Sequence, residues 1–564
     1  MNHGGRTPID GLSHVIGDRS EPLLELTIPA LLAQTAARFP EREAAIFPAQ
    51  NIRWSYADLV REVDALALGF LNAGVAQGDR VGIWAPNCYE WLLTQFATAR
   101  IGAILVCINP AYRASELEYA LRKVGCSTLV MAPRFKNSDY LGMIHTLAPE
   151  LSTSRRGTLQ AERLPDLRRV VVLGKNTPGT LAFDALRKPL DTSGQTMLDT
   201  LSDRLCPSDA INIQFTSGTT GQPKGACLTH HNIVNNAHFV TQALAFTQDD
   251  RLCIPVPFYH CFGMVMGTLG CVTKGAAMVV PGEGFDPRTT LEAVSTEGCT
   301  ALYGVPTMFV QQLELPAFQD FDLSTLRTGI MAGAPCPMEV MRQVQSRMYM
   351  HGVTIAYGMT ETSPVSFQSN INDPLEERVS SVGRIHPHVE VKIVDPDGTT
   401  VPTNTQGELL TRGYSVMRGY WEDPEQTKQC IDAAGWMHTG DLATLDTNGY
   451  CAITGRVKDM ILRGGENVYP REIEEFLYTH PDVSQAQVFG IPDDRLGEIV
   501  CAWIVRKQGS RLNQEDLQTY CRENIAYFKV PQHISFKETL PMTVTGKPQK
   551  FVMRDLMQQE LSLP

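Results

Sequence analysis

Short runs of β-branched and apolar residues alternate along the chain with longer stretches in which apolar positions recur every three to four residues. The runs Arg80–Trp84, Ala103–Ile108, Ser127–Met131, Arg169–Leu173, Ile211–Phe215, Arg251–Val256, Ala277–Val280, Thr300–Tyr303 and Val353–Ala356 predict strands. Thr27–Phe39, Ser55–Gly74, Tyr89–Ile101 and Ser115–Val124 predict helices, with Ser55 and Ser115 as N-caps. This alternation predicts a layered α/β body. Leu151–Leu164 is polar and irregular and reads as a surface excursion. Further on, Val389–Val394, Asp397-Gly398 and Glu408–Arg412 predict a small antiparallel β unit. After Gly455 the pattern changes again. Pro470-Arg471-Glu472-Ile473 starts a helix, and Gln485–Phe489 and Ile499–Val505 read as strands of a compact α/β tail.

Composition narrows the class. The 564 residues suffice for several domains, and a net charge of 49 − 61 = −12 speaks against nucleic acid or an anionic membrane as the main partner. The most apolar stretch, Met264–Pro281, is broken by Lys274 and three glycines, so it reads as buried structure and no transmembrane segment is expected. Residues 1–20 carry no apolar signal core. Fourteen cysteines stand at irregular spacings without a Cys-x-x-Cys pair, as small buried residues in a reducing compartment would. A cytoplasmic location is the expectation.

The sharpest chemical signal is Thr216-Ser217-Gly218-Thr219-Thr220-Gly221-Gln222-Pro223-Lys224, which follows a predicted strand. Its glycines let backbone N–H groups turn toward an anion, its hydroxyls add donors, and Lys224 adds charge. The order predicts a polyphosphate cradle. It is not the common P-loop, because Pro223 and Gly225 flank the lysine where that motif needs Gly-Lys-Ser/Thr. A motor or switch ATPase is therefore disfavoured.

This segment resembles the phosphate loop of the adenylate-forming superfamily, which contains acyl-CoA synthetases, peptide-synthetase adenylation domains and beetle luciferases. Other motifs match in order, so the resemblance covers nearly the whole chain. The segments around Tyr303–Met308, Arg384 and Arg463–Pro470 most resemble medium-chain acyl-CoA ligases of the acyl-CoA synthetase family member 2 type. The resemblance implies a large N-terminal domain of layered α/β subdomains, residues 1–457, including a β-barrel-like unit at 380–455. A small mobile α/β domain at 458–564 would turn about a hinge at Lys458.

By the same resemblance Tyr357 stacks on adenine, Thr360 reaches the α-phosphate, and Glu361 holds Mg²⁺ as the metal ligand. Gly333-Ala334-Pro335 matches the adenine-contacting loop. Asp441, in His438-Thr439-Gly440-Asp441, takes the ribose hydroxyls together with Arg456. Lys547 enters the site to bridge carboxylate and α-phosphate, where a fixed cation offsets the charge of two approaching anions. Gly464 and Gly465 allow close approach of the CoA arm, and Ala526–Pro531 resembles a segment near its entrance.

Pro257–Gly263 resembles the family's acyl-site gate, with His260 as a wall residue that moves between steps. No Asp occurs from Ile254 to Met266, where amino-acid-activating relatives place a carboxylate. The candidate lining of Met264, Tyr303, Val305, Met331 and Val365 is apolar. The implied activity is an ATP-dependent fatty acid CoA ligase, with a medium-chain acid as expected substrate. It works through acyl-AMP and releases AMP and pyrophosphate. An aryl, branched or thioether acid, a carrier-protein acceptor and a homodimer remain open. A non-catalytic scaffold is disfavoured, because Lys224, Glu361, Asp441, Arg456 and Lys547 are all present.

Overall fold

In the computed structural model, which describes residues 7–174, 177–216, 223–334, 336–463, 466–493, 495–543 and 548–562, all nine strands expected in the α/β body form. The chain divides into two units. One comprises Ile16–Glu390 and Thr411–Met437, and the other comprises Val391–Leu410 and His438–Pro564 together with Arg6–Val15.

Two sheets dominate the first unit. The eight-stranded sheet runs in the order Leu181–Ala182, Arg169–Val172, Thr128–Met131, Arg80–Trp84, Ile104–Cys107, Ala210–Thr216, Lys224–Thr229, Gly419–Tyr420. It is parallel as far as Ala210–Thr216, and the last two pairings are antiparallel. The nine-stranded sheet runs Arg384–Ile385, Val365–Gln368, Gly352–Gly358, Thr328–Ala332, Ala301–Gly304, Arg251–Cys253, Ala277–Val279, Glu43–Phe47, Ile52–Ser55. Its middle strands are parallel. Parallel strands need helical crossovers that cover both faces, which is why their sequences are continuous apolar runs.

The helices begin where side chains can satisfy the first N–H groups. Ser55 and Asp58 form a reciprocal capping box on the helix Tyr56–Asn72, and Thr27 caps Ile28–Arg38. Ser115 is not an N-cap, because Arg113 takes that place and the helix spans Ala114–Lys123. The Glu116 side chain, three residues on, accepts the N–H of Arg113 at 2.8 Å, the half of a capping box that reaches back to the cap residue. Leu151–Leu164 is also corrected. It is irregular, but Leu151, Leu159, Ala161 and Leu164 are buried in the main core. Apolar residues spaced without a period gave no sign of burial in the sequence.

The apolar stretch from Met264 is buried, as expected. Phe262–Leu269 winds as a π-helix, followed by Gly270–Lys274 and the strand Ala277–Val279. Among the described residues no helix is long and apolar enough to cross a membrane. Eleven of the fourteen cysteines are buried and all are free thiols. In the second unit, strands Val483–Asp493 and Gly497–Arg506 form a long antiparallel pair with His533–Lys537 alongside, flanked by helices Pro470–Leu477, Gln514–Asn524 and Lys550–Ser562.

Candidate active site

Thr216 and Lys224 face each other as the last pair of an antiparallel hairpin, so the phosphate-loop sequence is the hairpin's connection. The loop thus leads into a strand rather than a helix, which separates it structurally from a P-loop. Ser217–Gln222 lie outside the described residues. Pro223 is held from behind, its carbonyl accepting the Tyr119 hydroxyl at 3.0 Å.

The second contribution comes from the carboxyl edge of the nine-stranded sheet, where open α/β sheets bind ligands. Gly333 and Ala334 follow the strand Thr328–Ala332, and Tyr357 closes its parallel neighbour Gly352–Gly358. Pro335 lies outside the described residues. The Tyr357 ring tilts against Phe367 at 6.2 Å. Gly358 is required sterically, since a Cβ there would stand 1.7 Å from the Pro364 carbonyl oxygen. That close approach folds Thr360–Thr362 into a buried turn and carries Glu361 inward.

There the two sheets meet. Thr216 Oγ1 donates to Glu361 Oε1 at 3.0 Å, and the Tyr420 hydroxyl donates to the same oxygen at 3.0 Å. Lys224 Nζ sits 5.1 Å from the centre of the Tyr420 ring. Burial first, and the Glu361 carboxylate second, raise the Tyr420 phenol far above its ordinary pKa, so it remains a donor at any physiological pH. Burial, again reinforced by Glu361, also raises the half-buried Cys430 thiol in this cluster.

Both hydrogen bonds fall on Oε1, so Oε2 has no protein donor among the described residues. A carboxylate with one oxygen fixed and one available, ringed by hydroxyls, suits a hard divalent cation such as Mg²⁺. Among the described residues no group of three or more His, Cys, Asp or Glu could hold a metal by itself.

His260 precedes the π-helix and is half-buried, with its Nδ1 accepting the Phe262 N–H at 3.2 Å. Next to it, Cys261 Sγ donates to Gln214 Oε1 at 3.1 Å, on the same strand as Thr216. Met264, Tyr303, Val305 and Val365 share one apolar cluster, but Met331 belongs to another. Register explains the correction. Tyr303 pairs with Ile330 and Gly304 with Met331, so Ile330 shares the Tyr303 face and Met331 points the other way. The Tyr303 ring stacks on Phe262 at 5.5 Å, and its fully buried hydroxyl has no hydrogen-bond partner among the described residues.

In the second unit Asp441 and Arg456 are cross-strand partners on the hairpin Met437–Leu445 and Cys451–Arg456. Arg456 Nε meets Asp441 Oδ1 at 2.9 Å, with the aspartate side chain 9% exposed and the arginine 53%. The pair thus offers a buried carboxylate beside a more exposed cation. Gly440 adopts φ +69°, which places Asp441 after a turn that favours glycine. Glu408, expected only as the start of a strand, holds this turn by accepting from Gly440 N at 3.3 Å and contacting His438 Nδ1 at 3.0 Å. Gly464, Gly465 and Lys547 lie outside the described residues. Close to Lys547 in sequence, Lys550 pairs at 2.7 Å with the buried Glu474, which also accepts the Val488 N–H at 2.8 Å.

A family model described as AMP-binding enzyme matches residues 32–421, and one described as AMP-binding enzyme C-terminal domain matches 472–547. The chain belongs to the AMP-binding enzyme family. The mitochondrial medium-chain acyl-CoA ligase of Danio rerio is 46% identical over 98% of this chain and 91% of its own. The Bacillus subtilis protein YngI is 48% identical over 94% of this chain and 97% of its own. Among solved structures, an anthranilate CoA ligase in complex with anthranoyl-AMP superposes with a TM-score of 0.82 at 25% identity, covering 96% of this enzyme and 99% of that chain. The expected family and fold are borne out, as is the class of AMP-forming acid–thiol ligase.

Proposed function

We propose that the enzyme joins a medium-chain fatty acid to coenzyme A, first forming acyl-AMP with release of pyrophosphate, then exchanging AMP for the CoA thiol. The observation that supports this reading best is the junction of the two sheets. There a phosphate-loop hydroxyl, a buried carboxylate and a lysine are gathered around Tyr420. In this reading Ser217–Lys224 hold the β- and γ-phosphates, and Thr360 binds the α-phosphate. Tyr357 with Gly333–Pro335 takes the adenine, and Asp441 with Arg456 takes the ribose.

A divalent cation at Glu361, when bound, would neutralise charge on the departing pyrophosphate. Lys224 offsets the same charge from the loop. Lys547 does so between the carboxylate and the α-phosphate, where two anions must approach within bonding distance. Glu361 itself moves no proton, because the acid reacts as its carboxylate. Gly464 and Gly465 then admit the CoA arm after a turn about Lys458. An acyl site walled by Met264, Tyr303, Val305, Ile330 and Val365, which all lie within the main apolar core, would suit an aliphatic acid. The relative named as a medium-chain ligase supports the same reading. A reducing compartment such as the cytoplasm suits cysteines kept as thiols.

The test is ATP–pyrophosphate exchange across acids from butyric to palmitic, each repeated with CoA and thioester detection. Exchange and thioester that both peak near octanoic acid are expected. Exchange without thioester would replace CoA by a carrier protein, and no exchange with any straight-chain acid would overturn the substrate class.

A further inference from the structure

Tyr420 belongs to none of the motifs read from the sequence, yet it touches both halves of the cluster. It sits on a two-residue strand paired with the strand that leaves the phosphate loop, Tyr420 opposite Ala226 and Gly419 opposite Cys227. Trp421 N donates to Gly225 O at 2.8 Å, and Arg418 N to Cys227 O at 3.0 Å. A few residues earlier the same segment is tied to the Glu361 turn. Met417 N donates to Glu361 O at 2.8 Å, and Ser363 Oγ donates to Ser415 O at 2.6 Å. Residues 415–421 thus form a strap joining phosphate loop and carboxylate turn. At its end the Tyr420 hydroxyl holds Glu361 Oε1 and its ring faces Lys224 Nζ.

We propose that Tyr420 is a positioning residue for the adenylation half-reaction. Its hydroxyl turns the Glu361 carboxylate so that one oxygen is presented to a divalent cation, and its ring seats the Lys224 ammonium beside it. The inference rests on the roles of Glu361 and Lys224 proposed above. The physical need is plain. A glutamate and a lysine each rotate about several bonds, and freezing them at the moment of reaction costs free energy that a preorganised site has already met. Two donors on one carboxylate oxygen remove the rotation of Glu361. A ring face attracts and orients the ammonium without neutralising it.

The test uses the full chain carrying Tyr420→Phe or Tyr420→Leu, with Mn²⁺ titrated by electron paramagnetic resonance in the presence of a non-hydrolysable ATP analogue. ATP–pyrophosphate exchange is followed against Mg²⁺ concentration, and thioester formation is measured from supplied acyl-AMP. Tyr420→Phe should weaken Mn²⁺ binding and raise the Mg²⁺ requirement roughly tenfold, the weight of one hydrogen bond to a charged group. The KM for ATP should change little and thioester formation from acyl-AMP should persist. Tyr420→Leu should add a rise in the KM for ATP, because Lys224 loses its seat.

Wild-type Mn²⁺ affinity in Tyr420→Phe would overturn the proposal, as would an equal loss in both half-reactions, the signature of a merely structural residue. Thr216→Val, which removes the other donor to the same oxygen, provides a second variant should Tyr420→Phe fold poorly. It should shift Mn²⁺ binding in the same direction, and no shift would count against the proposal. If the wild type itself shows no exchange, the proposed function fails. If it exchanges normally and the variants match it, only the positioning role fails.

Discussion

Replacing Glu361 by Gln separates the charge of this carboxylate from its shape. The side chains have nearly equal volume, and the amide oxygen can still accept from Thr216 Oγ1 and Tyr420 OH, both now 3.0 Å away. Each bond loses its charge assistance, about 1 kcal/mol apiece. Against this, a buried carboxylate no longer has to be desolvated, a relief of similar or larger size. The net change in folding stability should therefore stay within about 2 kcal/mol, a few degrees at most in Tm for a chain this long. Catalysis should not be spared. A unit charge near 4 Å from another is worth about 4 kcal/mol at an effective dielectric of 20, so losing it should slow ATP–pyrophosphate exchange by about 10²- to 10³-fold. Thioester formation from supplied acyl-AMP should fall far less, since no pyrophosphate departs in that step. Exchange, single-turnover thioester formation and thermal unfolding on one preparation decide the matter. Exchange within about threefold of wild type would refute the reasoning, and so would equal loss in both half-reactions.

Lys547→Ala should abolish exchange yet spare thioester formation from supplied acyl-AMP, and equal loss in both would remove its assigned role. Burial lowers the His230 pKa from 6.5 to about 3, and its Nδ1 accepts the Ile28 N–H at 3.0 Å. The native state thus holds a neutral imidazole that the unfolded chain would protonate. Its contribution is complete above pH 6.5 and is lost as pH falls toward 3, by about 2 kcal/mol near pH 5. Urea unfolding of His230→Asn at pH 7.5 and 5 should show a pH-dependent loss smaller than wild type by about that amount, and equal losses would contradict it. Gly263→Ala places a Cβ 2.3 Å from the Pro257 carbonyl oxygen, beneath the His260 loop. It should cost about 1–3 kcal/mol by denaturant titration and alter the chain-length profile, and unchanged stability would mean that the contact is not tight.

Much of the candidate site was legible because its chemistry is local in sequence. Thr216 through Lys224 spell an anion-binding turn, and the structure closes it as the connection of a hairpin. Asp441 and Arg456 were assigned together to the ribose by the family resemblance, and hairpin register brings them face to face. Tyr420 left no trace in any pattern and Glu408 showed only as the start of a strand, because each acts only through a residue that a motif had already marked.

The chain's own pattern determined the alternation of strands and helices, the reason being that apolar periodicity and capping residues act over a few positions. It also determined which segments could bind phosphate, since glycine and hydroxyl spacing is a property of one loop. Only the tertiary structure decided that Thr216 and Tyr420, 145 and 59 residues from Glu361, converge on one of its oxygens. Likewise, only sheet register put Ile330 rather than Met331 beside Tyr303, and only packing buried Leu151, Leu159, Ala161 and Leu164 within the irregular stretch 151–164. Those outcomes depend on how two sheets and their loops pack, a long-range matter on which local spacing carries no information.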